Sequence, residues 1–361
     1  MILTIIVAFV SLIVLIILHE LGHFIMAKRF GVRVEEFGIG YPPRLFGKKI
    51  GETIYSINLL PFGAFVKIYG QEKRIDDSRS FSAKPIWQRA LIILGGVVSF
   101  WIVAAILLSI VMGIGVPTIV EDEENHNLVS PKVQITSIAS DSPAKEAELK
   151  IGDTIKKFSI SGDQFSINKV KEVQNLTETY IGQEVVLTIQ RGGEIFDVSL
   201  IPRVSPPEEE GPMGITLIRT ALKSYPWYQA PIKGVIATGN LTFFAVKGWG
   251  MVIASLFQGK GMPPGVEVGG PVRIFQLFVD ASSLGVSYFL QFVAIISVFL
   301  ALFNILPIPA LDGGWFLFLV IEKIKGKPIS QKIELGISTA FFFLLIALMI
   351  LVTIKDISRL F

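Results

Sequence analysis

The chain has 361 residues, 51% of them hydrophobic and 17% charged, where a soluble globular protein carries roughly 25% charged residues. That balance excludes a wholly soluble protein and indicates a polytopic membrane protein with room for one modest soluble module. The net charge of +3 is too small to argue for nucleic acid, and the absence of cysteine excludes disulfides and thiolate metal ligands.

An almost unbroken apolar run, Met1 to Leu18, leads into His19-Glu20-Leu21-Gly22-His23. The run has no basic residue ahead of it and no small-residue cleavage site, so residues 2–27 read as a retained transmembrane helix rather than a signal peptide. On that helix His19 and His23 lie four residues apart and share one face. Two neutral imidazoles so placed can hold a zinc ion, with Glu20 positioned to take a proton from the water that zinc would activate. The chain has three histidines in all, and two are here. A charged group at mid-bilayer costs on the order of 2.5–3.5 kcal/mol, so a cluster of ionisable groups beside hydrocarbon points to a function rather than to a chance pair of helix histidines.

From Lys28 to Arg89 there are twelve Lys or Arg against six Asp or Glu, which places this segment in the cytoplasm and the N-terminus outside. Within it, Gly38-Ile39-Gly40-Tyr41-Pro42-Pro43 cannot be helix. Thr53–Leu60 and Ala64–Tyr69 read as a β-hairpin joined through Pro61-Phe62-Gly63. The hairpin is either cytoplasmic or dips into the membrane beside the metal, where non-helical backbone survives only in a protein-lined or wet cavity. The second span is 86–116, and it exits into the acidic Glu121-Asp122-Glu123-Glu124. His126, alone in that loop, reads as a solvated histidine.

Residues 128–204 change character. Strands are expected at Val133–Ile138, Thr154–Phe158, Val185–Gln190 and Ile195–Ile201, with Arg191-Gly192-Gly193-Glu194 as a hairpin turn and helical pieces at Pro143–Leu149 and Asn168–Tyr180. Ser205-Pro206-Pro207-Glu208-Glu209-Glu210 reads as a stiffened linker. In 213–285 the apolar stretch Gly234–Val246 is short, holds Asn240 and stops at Lys247, so helices at the outer interface are expected. Residues 286–306 and 337–354 are the third and fourth spans. Four spans put Asp312 and the histidines at the same cytoplasmic depth, and they also put the four lysines of Glu322–Lys332 inside. Asp312 is therefore the best third ligand of a His₂-carboxylate zinc site, ahead of a plain turn aspartate before Gly313-Gly314. Asn304 either assists the substrate or packs helices. A substrate helix must unwind to expose its carbonyls. An edge of the 53–69 hairpin could pair with the unwound strand, with Asn58 or the adjoining backbone taking part.

His19-Glu20-Leu21-Gly22-His23 together with the stretch Asn304 to Gly314 resembles the site-2 protease family of intramembrane zinc metalloproteases, in its bacterial PDZ-containing branch. Gly38-Ile39-Gly40 and the following hairpin look like that branch's Gly-x-Gly region and membrane-associated β-loop. Ser142-Pro143-Ala144 and Leu149-Lys150-Ile151-Gly152-Asp153 resemble a PDZ core. The resemblance implies His19, His23 and Asp312 as zinc ligands and Glu20 as catalytic acid/base. It implies Asn304, Pro307 and Pro309 as substrate-handling positions, beside Asn58, Gly38 and Gly40 from the hairpin. It further implies cleavage within the transmembrane segment of single-pass proteins, such as anti-sigma factors or leftover signal peptides, after a first protease has acted. Two departures stand out: Gly95-Gly96-Val97-Val98-Ser99 lacks the family's proline and asparagine, and Glu148 stands where a PDZ core usually has glycine.

The expected architecture is a multi-pass α-helical membrane protein of four transmembrane helices, with a membrane-associated β-hairpin and one extracytoplasmic α+β PDZ domain. Its parts are an N-terminal membrane core 1–127, a PDZ domain 128–204, a linker with interfacial helices 205–285 and a C-terminal membrane core 286–361. The expected location is the bacterial inner membrane, with both termini and the PDZ domain outside and the active site toward the cytoplasm. A catalytically dead PDZ scaffold is the first rival reading. A transporter is the second, and the absence of internal repeats argues against it.

Overall fold

The computed structural model describes residues 2–124, 128–207, 210–263 and 269–358; His126, Glu208 and Glu209 fall outside them. The elements open with α1 (Ile2–Arg29), β1 (Val34–Ile50), β2 (Thr53–Ile68) and α2 (Ile86–Ile114). Next come β3 (Val116–Ile119), β4 (Leu128–Ile138), α3 (Pro143–Glu146), β5 (Thr154–Ile160), β6 (Asp163–Ser166), α4 (Val170–Thr179), β7 (Val185–Arg191), β8 (Glu194–Leu200) and β9 (Ile215–Lys223). The chain ends with α5 (Ala230–Phe257), α6 (Pro271–Ser283), α7 (Val286–Ile305), α8 (Asp312–Lys325) and α9 (Gln331–Ser358). They divide into a helical unit (1–109, 232–282 and 289–361) and a β unit (110–231 and 283–288).

In the helical unit α1 and α2 run antiparallel at close range. A Cβ on Gly22 would fall 2.2 Å from the Gly95 carbonyl oxygen, so the two backbones touch where only glycine fits. Small residues at a helix crossing are how helices associate in lipid, where no hydrophobic drive separates one apolar surface from another. His19, Gly22, His23 and Met26 face α2, while Ile16, Glu20, Phe24 and Ala27 face the β1–β2 sheet. This division is the 3.6-residue period of one helix sorted between two neighbours.

β1 and β2 are longer than the expected hairpin, and their pairing differs from it. The turn falls at Gly51-Glu52, and β2 continues through Pro61-Phe62-Gly63. β1 and β2 pair antiparallel, and both strands fold back on themselves. Glu36–Ile39 meets Lys67–Ala64 on one side and Ile54–Ile57 on the other, while Arg44–Ile50 pairs with Asn58–Thr53. Thr53–Asn58 is therefore interior, and Ala64–Ile68 forms a rim. The sheet climbs along α1: Gly63 lies by Ile16, and the Phe62 ring meets Phe9 at 5.9 Å. Phe9 is 20 residues, about 30 Å, from the Arg29 end of the helix. Leu45, Phe46, Leu59 and Phe62 are exposed on it.

Among the described residues five helices are long and apolar enough to cross a membrane: Ile5–Arg29, Ile86–Ile114, Ala230–Phe257, Val286–Ile305 and Gln331–Ser358. α5 is the candidate beyond the four spans expected from the sequence. Asn240 and Lys247 do not interrupt α5, because both are exposed on its outer side and neither breaks a helix. Its other side packs Gly234 against Ser109 and Thr242 against the Trp101 indole N–H at 3.2 Å.

The β unit is a seven-stranded antiparallel sheet in the order β3-β9-β4-β5-β7-β8, with β6 on β5, over a core that includes Ile155, Phe158, Leu187 and Ile189. The four expected strands, the 191–194 turn and both helical pieces are present. The sheet also runs past 204: β9 pairs with β4 along its length, so the segment after the Pro-rich linker belongs to this unit. Asp153, 1% exposed, accepts the Lys150 backbone N–H at 2.8 Å and a two-pronged Arg191 ion pair at 2.7 and 2.8 Å.

Glu148 sits at φ +55, in the left-handed region. A side chain there costs about 1–2 kcal/mol, which explains why glycine is usual at this point of such a turn. Glu148→Gly should stabilise the unit by about 0.5–1 kcal/mol once the greater freedom of the unfolded glycine chain is subtracted. Thermal unfolding of the detergent-solubilised protein checks this.

Candidate metal centre

Two elements distant in sequence, α1 and α8, bring His19, His23 and Asp312 together. His19 Nε2 is 3.2 Å from His23 Nε2, Asp312 Oδ2 is 3.2 Å from His19 Nε2, and Asp312 Oδ2 is 3.4 Å from His23 Nε2. Ligands 2.0–2.1 Å from zinc at tetrahedral angles stand about 3.3–3.4 Å apart, so the three atoms form one face of the tetrahedron that the ion requires.

Each donor is held from behind. The His23 Nδ1–H donates to the Ile92 carbonyl at 2.9 Å. That bond fixes the tautomer and leaves Nε2 bare for a metal. The His19 ring lies flat on Phe100, with centroids 4.6 Å apart and planes at 18°. Asp312 opens α8, and the turn before it is tight. Cβ atoms at Gly313 and Gly314 would meet the carbonyl oxygens of Leu306 and Ile308 at 2.2 and 2.3 Å. Pro307 and Pro309 lack N–H groups and so cannot prolong α7. The turn thus folds back far enough to carry Asp312 to the histidines.

Two further observations fit a metal. Asp312 Oδ2 is buried without a regular hydrogen bond, which is costly in an apolar setting unless an ion is among its partners. A Cβ at Gly96 would lie 2.2 Å from His23 Nε2 and 2.7 Å from His19 Cε1, so glycine keeps the cradle open. These three are also the group of His, Asp and Glu residues, among those described, whose ligand atoms lie close enough to share one ion.

Glu20 stands round the helix from the histidines, beside the Val66 backbone on the rim of β2 and within electrostatic reach of His19, His23 and Asp312. The other expected positions are less central. Asn304 donates to the Leu300 carbonyl of its own helix at 2.9 Å. Pro307 is exposed and Pro309 buried. Asn58 is not brought to the triad; it is buried inside the sheet and donates to the Ile39 and Gly40 carbonyls at 3.3 and 3.1 Å. Gly38 makes room for the Phe65 ring, and Gly40 for the Leu60 carbonyl. The Ile92 carbonyl and Gly96 were not foreseen. A signal for Gly96 in the sequence is the adjacent pair Gly95-Gly96 inside a mainly apolar helix.

The model of peptidase family M50 matches residues 7–348. A Clostridium perfringens protein that bears a zinc metalloprotease name is 37% identical over 345 residues, 95% of each chain. A similarly named Clostridium acetobutylicum protein is 34% identical over 358 residues, covering 98% of this chain and 97% of its own. The zinc metalloprotease RasP of Oceanobacillus iheyensis is 28% identical over 444 residues, covering 99% of this chain and 100% of its own.

Gly96→Ala should lower zinc affinity at least about tenfold, as loss of a supporting contact around a metal typically does, while Ser99→Ala one turn away retains it. Zinc content of the purified proteins after dialysis reads the difference.

Proposed function

The chain belongs to peptidase family M50, the site-2 protease family, and is a membrane zinc metalloprotease, and from that premise we propose that it hydrolyses a peptide bond within the transmembrane segment of single-pass membrane proteins. His19, His23 and Asp312 hold the ion, and the tetrahedral spacing of their three donor atoms is the observation that carries this reading. When bound, zinc polarises a carbonyl and lowers the pKa of a water to about 7. Glu20 would serve as general base toward the attacking water and as general acid toward the leaving amine.

Ala64–Ile68 holds the substrate. Its inner side pairs with β1 and its outer side faces Glu20. An unwound substrate segment adds to this rim as a further strand, which offers its carbonyls to the metal in extended form. This revises the hairpin expectation, since Thr53–Asn58 is paired on both sides and has no edge to give. Asn304, Pro307 and Pro309 act through the turn that delivers Asp312, and Gly38, Gly40 and Asn58 through the shape of the sheet.

The protein works in the bacterial cytoplasmic membrane, with the metal toward the cytoplasmic side and both termini and the β unit outside. The twelve-to-six basic excess over Lys28–Arg89 supports that orientation. For Asp312 to share the histidines' depth, the chain between α2 and α7 must cross the membrane an even number of times. The β unit is a PDZ domain. The free edge of β9 at Ile215–Leu217 lies along α4, and the cavity there, about 290 Å³, is lined by Val173, Thr177, Met213 and Ile215. Such a slot favours capture of a C-terminus, the kind of end a first protease leaves on an anti-sigma factor or a leftover signal peptide, over simple exclusion by size.

Glu20→Gln should reduce cleavage of a model transmembrane substrate by about 10²–10⁴-fold with zinc content unchanged; unchanged cleavage would contradict the role given to Glu20, and no cleavage by the wild-type protein would return it to the scaffold reading. Val66→Pro, which removes the backbone N–H beside Glu20, should slow cleavage of the membrane-embedded substrate by an order of magnitude or more while zinc stays bound, as followed by gel assay in liposomes.

A further inference from the structure

Arg89 and Glu322, 233 residues apart in sequence, form a bidentate ion pair with N–O distances of 3.0 and 2.5 Å. Both side chains are shielded, at 10% and 12% exposure. Neither belongs to the chemistry described above. Their value for stability is doubtful on general grounds, because desolvating two charges usually offsets their attraction. The Arg89 Nε is moreover buried without a partner.

Their position in the helices gives another reason for them. Arg89, Ile92, Ile93 and Gly96 fall on one stripe of α2, spaced as one face of a helix requires. Ile92 offers the carbonyl that orients His23, and Gly96 forms the wall of the metal cradle. On α8 the corresponding stripe is Asp312, Trp315, Leu319 and Glu322. Ile92, Ile93 and Leu319 pack in one buried cluster midway between the ends. The helices therefore meet along an antiparallel seam: the metal site closes one end, apolar side chains fill the middle, and the Arg89–Glu322 fork closes the other. Glu322 lies ten residues, about 15 Å, along α8 from Asp312.

Apolar contacts alone let one helix slide or rotate on another at little cost. A planar guanidinium on a carboxylate tolerates neither motion. We propose that the Arg89–Glu322 fork is a positioning pair that sets the register of α8 against α2, and so holds the Asp312 carboxylate at coordination distance from the two imidazoles. Register control is the best-attested use of a buried ion pair. The inference rests on reading His19, His23 and Asp312 as the ligands.

The test uses the full-length protein in detergent, with three measurements on each variant. They are the zinc dissociation constant from chelator competition, the visible spectrum of the cobalt(II) form and the unfolding temperature of the metal-free protein. Glu322→Gln keeps the shape of the side chain and removes its charge, while Arg89→Lys keeps the charge and removes the fork. Each should raise the zinc dissociation constant about 10- to 100-fold and weaken the tetrahedral cobalt bands, with the metal-free unfolding temperature little changed. The swapped double variant R89E/E322R should recover most of the affinity. Arg74→Ala, which breaks the more exposed Arg74–Glu334 pair on the same side of the protein, should leave the affinity alone. Wild-type affinity and cobalt spectrum in both single variants would overturn the proposal, as would a fall in unfolding temperature alone. Should the single variants fail to fold, R89M/E322L restores a packed apolar seam; it should fold and bind zinc weakly, and wild-type affinity there would again overturn the proposal. A wild-type protein that binds no zinc, or an Asp312→Ala variant that binds it normally, would instead overturn the ligand assignment beneath it.

Discussion

Two imidazole nitrogens and a carboxylate oxygen sit within 3.4 Å of one another in an apolar setting. Such a cluster needs a cation among its partners, because it otherwise leaves a buried carboxylate oxygen without a regular hydrogen bond. With the cation it becomes a coordination face. Much of the helical unit can be understood as what makes that convergence possible: the glycine contact between α1 and α2, the doubled-back turn before α8, and the seam that joins α8 to α2.

One helix distributes the chemistry. The same 3.6-residue period that points His19 and His23 toward α2 and α8 turns Glu20 toward the sheet. The metal-binding and proton-moving groups thus share a rigid support but face different neighbours, one side closed by helices and the other bordered by the rim of a sheet. The outer side of that rim pairs with no other described strand of the sheet, which leaves it open to a strand added from elsewhere. The sheet is itself stitched by polar groups: Glu36 takes Arg44 at 2.5 and 3.2 Å and Ser56 at 2.6 Å, across neighbouring runs of strand.

The parts of this arrangement that were legible in the sequence are those set by local spacing. The interval from His19 to His23 specifies one helix face whatever surrounds it. The 191–194 turn was readable for the same reason. The parts that were not legible depend on contacts between distant residues. Nothing local to Thr53–Asn58 says that it will be enclosed on both sides, because β1 folds back only when its two halves find β2. β9 was hidden behind a Pro- and Glu-rich stretch that looks like the end of a domain. Asn240 and Lys247 make the apolar stretch of α5 look short in the sequence, but an exposed polar side chain does not stop a helix. Glycines at 96, 313 and 314 are explained only by what a Cβ would strike, and Arg89 has no meaning until Glu322 is beside it.

The account rests on one ion held by ligands from both ends of the chain. X-ray absorption at the zinc edge of the purified full-length protein measures this directly. The expected spectrum is one zinc per chain with two imidazole nitrogens and a carboxylate oxygen in a first shell at about 2.0–2.2 Å, changed on substitution of Asp312 by alanine. A spectrum that shows fewer than two imidazoles, or one that Asp312→Ala leaves the same, would contradict it.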